Sequence, residues 1–487
     1  MKYTPLYLPG FHWPVLHRKP RSAQQRLAEE IYQLKQKSFS QLGTCLGKFI
    51  PCHFLYPTAS GALSRRRVFS KENTFWAFFS QILDADGGCK EVVRKLQAVA
   101  ALKLERLPSS STAAYCKARQ KLDQSSLESI LSHTSQGIQT NADPDRLNGR
   151  RVIVVDGTGV SMPDTVKNQT EWPQQRHQKP GCGFPQAAIS ACFNLHNGTL
   201  LSYEMGNKKS HELPMLRRQW NTFNPDDIFL GDKLYCSYYD ISELKNRDVD
   251  SVVTLSRRSP VSAMESVKKL GDDDLLIRWK KPVRSKYSSY SQENWEGLPE
   301  RLLLRQIKVT VKQPGFRVVS FYIITTLLDA EEYPASEIAD LYLQRWDVEL
   351  YFRDIKTTMG MDILRCKTPE MVRKEILMHL IAYNCIRRLM LEAAEKKKVK
   401  ARRISFKGSV QALRQWEPHL NQAKMSQQDC AQLIQLLTDS IAGNIVSERL
   451  GRSEPRAVKR RPKPYQLLTA PRHEMKETKH RGRNSAK

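Results

Sequence analysis

No run of 18 apolar residues occurs in the 487-residue sequence, which excludes an obvious membrane-spanning helix. The opening stretch, MKYTPLYLPGFHWPVLHRKP, has no apolar core followed by a small-residue cleavage site, so a cytoplasmic location is expected. Ten cysteines are present without a single CxxC pair. The nearest neighbours, Cys45 with Cys52 and Cys182 with Cys192, are not backed by suitably spaced histidines, so neither a structural zinc nor a disulfide framework is indicated. No internal repeat is visible. Acid is scarce relative to base: 50 Asp and Glu stand against 78 Lys and Arg, for a net charge of +28. A chain this basic meets a polyanion, nucleic acid first, the bland alternative being a generally basic surface.

What is present changes character along the chain. Residues 1–145 read as helical and basic, with helix-like apolar spacing in SAQQRLAEEIYQLKQKSFSQLGTCLGKFI and NTFWAFFSQIL. AYCKARQKL follows a run of Ser and Thr caps and carries Lys117, Arg119 and Lys121, which suits a small helical DNA-binding region, a plain helical bundle fitting the periodicity equally well. From 146 to 258 the pattern turns to strands. RVIVVD and DIFLGD are apolar runs that each end in an acid, and Asn197-Gly198 predicts a hairpin. His211 and Glu212 follow GNKKS, near what would be an active edge, though a plain helix start explains them as well. Residues 259–315 form a polar, β-rich insertion, and 316–400 return to an apolar strand and two helices. A helical C-terminal region, 401–450, precedes a basic tail, 451–487, with 12 Lys and Arg against 3 Glu. The order of strands and helices describes a mixed α/β sheet with helices on its faces.

Three acids stand out by position: Asp156 and Asp232 at the ends of the two apolar runs, and Glu349 within YLQRWDVELYFRDIK. Converging carboxylates repel one another unless a cation stands between them. Hard oxygen ligands favour magnesium or manganese, and two such ions can activate a water and stabilise the leaving oxygen of a phosphodiester. Singly, each aspartate also fits an ordinary turn, as DGT and GDK do.

The segment holding Glu349 predicts one helix from near Ser336 to Gly360. At about 100° per residue, Tyr342, Arg345, Glu349 and Lys356 fall within an arc of about 60°. One face then presents a phenol, a guanidinium, a carboxylate and an ammonium, which an ion-paired solvent face would also explain. Trp346, beside that stripe, is expected to pack the helix on the sheet.

Tyr, two residues, Arg, three residues, Glu, six residues, Lys is the signature of the insertion-sequence-four family of DDE transposases, and Tyr342, Arg345, Glu349 and Lys356 match it without departure. VVDGTGVSMPDT and FLGDKLYCSYYDI resemble the family's two aspartate segments, and GRSEPRAVKRRPKPYQLL its closing basic stretch. The resemblance covers most of the chain. It implies a ribonuclease H-like α/β fold: a mixed sheet with flanking helices, a β-rich insertion and a helical N-terminal DNA-binding region. It further implies that Asp156, Asp232 and Glu349 are catalytic and bind magnesium, with manganese able to substitute. Tyr342, Arg345 and Lys356 would hold DNA phosphates, and Trp279 or Trp295 would stack on a flipped base. The implied activity is cut-and-paste transposition of bacterial double-stranded DNA through a hairpin, by a homodimer on paired terminal inverted repeats. Two rivals share these residues: a nuclease that cuts without joining, and a transposase-derived repressor that has lost catalysis.

Overall fold

RVIVVD and DIFLGD become adjoining parallel strands in the computed structural model, which describes residues 42–57, 60–64, 68–102, 106–136, 147–175, 179, 181–207, 212–255, 264–286, 288–311, 319–420, 426–446 and 474. The expected helix over the first forty residues and the basic tail apart from Glu474 lie outside these. The strands are β1 (Val152–Ser161), β2 (Gln186–Asn194), β3 (Leu200–Asn207), β4 (Ile228–Leu230), β5 (Asp250–Thr254), β6 (Met264–Gly271), β7 (Asp274–Lys280), β8 (Arg301–Val311) and β9 (Val319–Thr325). They form one nine-stranded mixed sheet in the order β3-β2-β1-β4-β5-β9-β8-β7-β6. Among these described strands, the β1–β4 and β4–β5 pairs are parallel and the other pairs antiparallel.

The hairpin expected at Asn197-Gly198 joins β2 to β3, with Gly198 at φ +71°, a left-handed conformation that glycine adopts without strain. β6 to β8, from the polar central stretch, extend the same sheet beyond β9. One face of the sheet buries Ile153, Val155, Phe229, Val253 and Ile324 against Leu216, Tyr235, Ile241 and Leu244.

The chain divides into two compact units. The sheet belongs to residues 142–352, with 361–372 and 448–487. The other unit comprises 1–141, 353–360 and 373–447 and is helical where described. Its helices include α1 (Lys71–Leu83), α2 (Cys89–Leu102), α3 (Ala113–Gln120) and α4 (Gln124–Gln136). Ser70 caps α1 by accepting from Asn73 N at 3.1 Å. Phe75, Trp76, Phe78 and Phe79 bury its apolar side. All ten cysteines are free thiols. Among the described residues no helix is long and apolar enough to cross a membrane.

Candidate active site

Asp156 does not end its strand. β1 continues to Ser161 because β2 goes on pairing with it, Asp156 opposite Ala191 and Gly157 opposite Ser190. What stops is the other neighbour: β4 ends at Leu230, paired with Val154. Extending that parallel register by two residues brings Asp232 level with Asp156. Asp156, two residues beyond Val154 on β1, shares that residue's face of the sheet, and Asp232 follows two residues after the end of β4. Asp156 Oδ1 accepts from Gly157 N, and Asp232 Oδ1 from Leu234 N, each at 2.8 Å.

Glu349 comes from a broken helix, not a continuous one. α5 (Ala335–Gln344) stops before Arg345, α6 (Asp347–Arg353) starts anew, and Asp354–Thr358 is π-helical. At the break, Arg345 N, Val348 N and Glu349 N bond three residues back, to Tyr342, Arg345 and Trp346 carbonyls. At the far end Met359 N bonds five back, to Asp354. Tight bonds followed by wide ones spoil the uniform 100° step, so the single stripe expected over Tyr342, Arg345, Glu349 and Lys356 is not formed. Tyr342 and Arg345 are buried, Glu349 is exposed and Lys356 is half-buried. Lys356 belongs to the helical unit, whereas the other three belong to the sheet unit.

α6 reaches Asp156 through aromatics. Phe193, opposite Val154 and therefore on the face of Asp156, packs its ring 5.5 Å from Tyr351 and 5.3 Å from Phe352. The Tyr351 hydroxyl donates to the Leu195 carbonyl. Electrostatics record the convergence. Burial raises the Asp156 carboxyl above its usual range, its Gly157 hydrogen bond and Arg345 pull it back, and the charges of Asp232 and Glu349 push it up again.

Arg345 supplies the nearby positive charge. It is 9% exposed, its guanidinium lies 5.8 Å from the Tyr342 ring centre and 5.2 Å from that of Trp346, and its buried Nε has no protein partner. Tyr342 shares a 2.9 Å hydrogen bond with Thr254 at the end of β5, and burial raises its phenol.

Trp346 is placed otherwise than expected. Trp346 is 57% exposed, because the helix break turns it away from the sheet. Trp279 and Trp295 are 5% and 6% exposed. Tyr238 packs against both, and Tyr290 stacks on Trp295 at 5.2 Å. Both rings are thus packed among aromatic neighbours in the core. Glu212, which the sequence puts near the active edge or equally at a plain helix start, lies directly behind Gly157 with Tyr235 bonded to it.

In kind, Asp156, Asp232 and Glu349 fit a hard divalent cation: three carboxylate donors act on one another, and a positive charge would relieve the raised Asp156. Among the described residues, however, no three acidic, histidine or cysteine side chains are gathered closely enough to hold a metal ion.

Residues 147–385 match the family model described as Transposase DDE domain. The chain is 27% identical over 369 residues to the transposase InsG of insertion sequence element IS4 from Escherichia coli (strain K12), covering 75% of this chain and 79% of that protein. The transposase of insertion sequence element IS231F from Bacillus thuringiensis subsp. israelensis is 20% identical over 51% of this chain and 59% of its own length. Among solved structures, a piggyBac transposase synaptic complex with hairpin DNA is similar at 11% identity and TM-score 0.40, over 88% of this chain and 87% of that one. The class is thus a transposase built on a DDE domain. Within that class, the chain belongs to the insertion-sequence-four family.

Proposed function

We propose that this transposase binds the terminal inverted repeats of its element as a homodimer on double-stranded DNA, cuts the ends and joins them to a target. The observation that carries the reading is that Asp232, Glu349 and Arg345 all act electrostatically on one half-buried carboxyl, Asp156. The sheet is read as ribonuclease H-like, with Asp156, Asp232 and Glu349 as the ligands of two magnesium ions, for which manganese can substitute. When bound, such ions lower the pKa of the attacking water and stabilise the leaving oxygen.

The remaining work falls to the protein's own groups. Arg345, with its fork fixed between two aromatic rings, presents N–H donors to a phosphate beside the scissile one. Tyr342 adds a hydroxyl and Lys356 a point charge for neighbouring phosphates. Hydrolysis at the element's end leaves a 3′ hydroxyl, which attacks the opposite strand to close a hairpin; after reopening, it attacks target DNA. Each step is an in-line displacement at phosphorus, so one site serves all. A displaced base stacks on the open face of Trp346 more readily than on Trp279 or Trp295, whose neighbours would first have to part.

The test is incubation with DNA carrying the flanking inverted repeats and magnesium. Nicks, hairpins and joined products are expected. Asp156→Ala, Asp232→Ala and Glu349→Ala should each abolish cleavage while leaving DNA binding within a few-fold of the parent, and Lys356→Ala should weaken cleavage without abolishing it. Nicks without joined products would reduce the protein to a nuclease, and retained cleavage in any alanine variant of the three acids would remove that residue from the site.

A further inference from the structure

Behind the sheet, on the side away from the Asp156 carboxylate, a second acidic side chain presses on the same strand. Successive residues of a strand point to opposite faces, so Gly157 faces away from the carboxylate of Asp156. A Cβ on Gly157 would stand 2.5 Å from Glu212 Cδ, which no side chain tolerates without displacing the carboxylate. Glu212 therefore lies flat against backbone that only a glycine could offer, one residue from Asp156.

The other end of Glu212 meets the Asp232 turn. The Tyr235 hydroxyl donates to Glu212 Oε2 at 3.5 Å, a long bond. Tyr235 is buried, with its ring edge-on to Phe229 at 5.7 Å. Its backbone N–H closes the turn by donating to the Asp232 carbonyl at 3.1 Å. Burial raises its phenol well above the usual range, and the charges of Glu212, Asp156 and Asp232 add to that effect in this order, so all three acids lie within its electrostatic reach.

We propose that Glu212 is a positioning residue: through Gly157 on one side and Tyr235 on the other, it ties the strand of Asp156 to the turn of Asp232 and sets the separation of the two aspartates. The inference rests on reading those aspartates as the divalent-ion site. Glu212 touches neither DNA nor the reacting phosphorus; it acts through the backbone. A misplacement of about 1 Å at a reacting centre costs on the order of 100-fold in rate, so a brace of this kind is felt in turnover even where the fold survives.

The full-length protein carries the test, with Mn2+ affinity measured by calorimetry, end cleavage timed at saturating inverted-repeat DNA, and DNA half-saturation measured separately. Glu212→Ala and Tyr235→Phe should each slow cleavage by about tenfold or more and weaken Mn2+ several-fold, with DNA half-saturation unchanged. Glu212→Gln, which keeps an oxygen to accept from Tyr235, should restore most of the loss. Gly157→Ala, which drives a methyl into the Glu212 carboxylate, should resemble Glu212→Ala and serves where that variant fails to fold. Cleavage and Mn2+ affinity within about twofold of the parent in both Tyr235→Phe and Gly157→Ala overturn the brace. A Glu212→Gln variant as impaired as Glu212→Ala also overturns it, since charge and not the tie would then matter. Unchanged Mn2+ affinity in Asp156→Ala overturns the metal reading itself, and the two failures are thereby told apart.

Discussion

Glu72 shows how far a single carboxyl can depart from its sequence context. It sits in the first turn of α1, a place where an acid is ordinarily welcome, yet burial raises it from 4.5 to about 7. Because the folded value lies above the unfolded one, the native protein holds a proton there that the unfolded chain has already released. Stability therefore falls as pH rises from about 4.5 to about 7. Glu72→Gln removes the effect: at pH 8 it should be more stable than the parent by roughly 1–2 kcal/mol, a difference that disappears near pH 4, as urea titrations at the two pH values would show. The same lesson holds at the active site. Asp156 and Asp232 were legible as acids closing apolar runs, but their level register was not, since pairing is decided by the whole sheet and not by either strand. Trp279 and Trp295 were candidates through the family resemblance, and the aromatic core around them draws on Tyr238 of α7 (Tyr238–Lys245), remote in sequence, as well as on the nearby Tyr290. Tyr235 carried no local signal beyond a turn, and the place of Glu212 near the active edge was explained as well by a helix start.

Among the elements, long and regular ones were readable and irregular ones were not. The strands around Asp156 and Asp232, the β2–β3 hairpin and α8 (Pro369–Lys397) follow from periodicity and turn chemistry. The break at Arg345 and the π-helical turn Asp354–Thr358 do not, because YLQRWDVELYFRDIK contains neither glycine nor proline to announce them. Within the helical unit the π-helical turn is held by a buried charge pair: Arg387 Nη2 of α8 donates to Asp354 Oδ2 at 2.7 Å, and its Nε donates to the Tyr383 hydroxyl at 3.0 Å. Burial raises Asp354 and the two arginines, Arg387 and Arg353, pull it back. Removing one member of such a pair strands the other's charge, at a cost of about 3–5 kcal/mol, whereas replacing both by apolar groups costs far less. Arg387→Met should accordingly lower the urea midpoint sharply, and Arg387→Met with Asp354→Leu should recover much of it. Equal midpoints for the single and double variants would show that packing, not charge, fixes this turn.

Taken as a whole the molecule is a polycation, and its charge is unevenly spread along the sequence. Residues 451–487 carry 12 Lys and Arg against 3 Glu, a net of +9 out of +28. A protein that neutralises phosphates releases the counterions condensed on DNA, and its affinity then falls with salt along a log–log slope of about 0.9 per phosphate contacted. If the tail contributes such contacts, they add to affinity for any duplex, with the base sequence of the terminal repeat left to be read elsewhere. Replacing Arg452, Arg456, Lys459, Arg460, Arg461 and Lys463 together with glutamine removes six charges from that stretch. The expected outcome is weaker binding to specific and random duplexes alike, with the salt slope shallower by up to about 5 and the ratio of the two affinities little changed. Fluorescence anisotropy between 50 and 200 mM salt, roughly the range over which such slopes are read, measures all three quantities. A lost affinity ratio with an unchanged slope would instead make this basic stretch a reader of the element's ends.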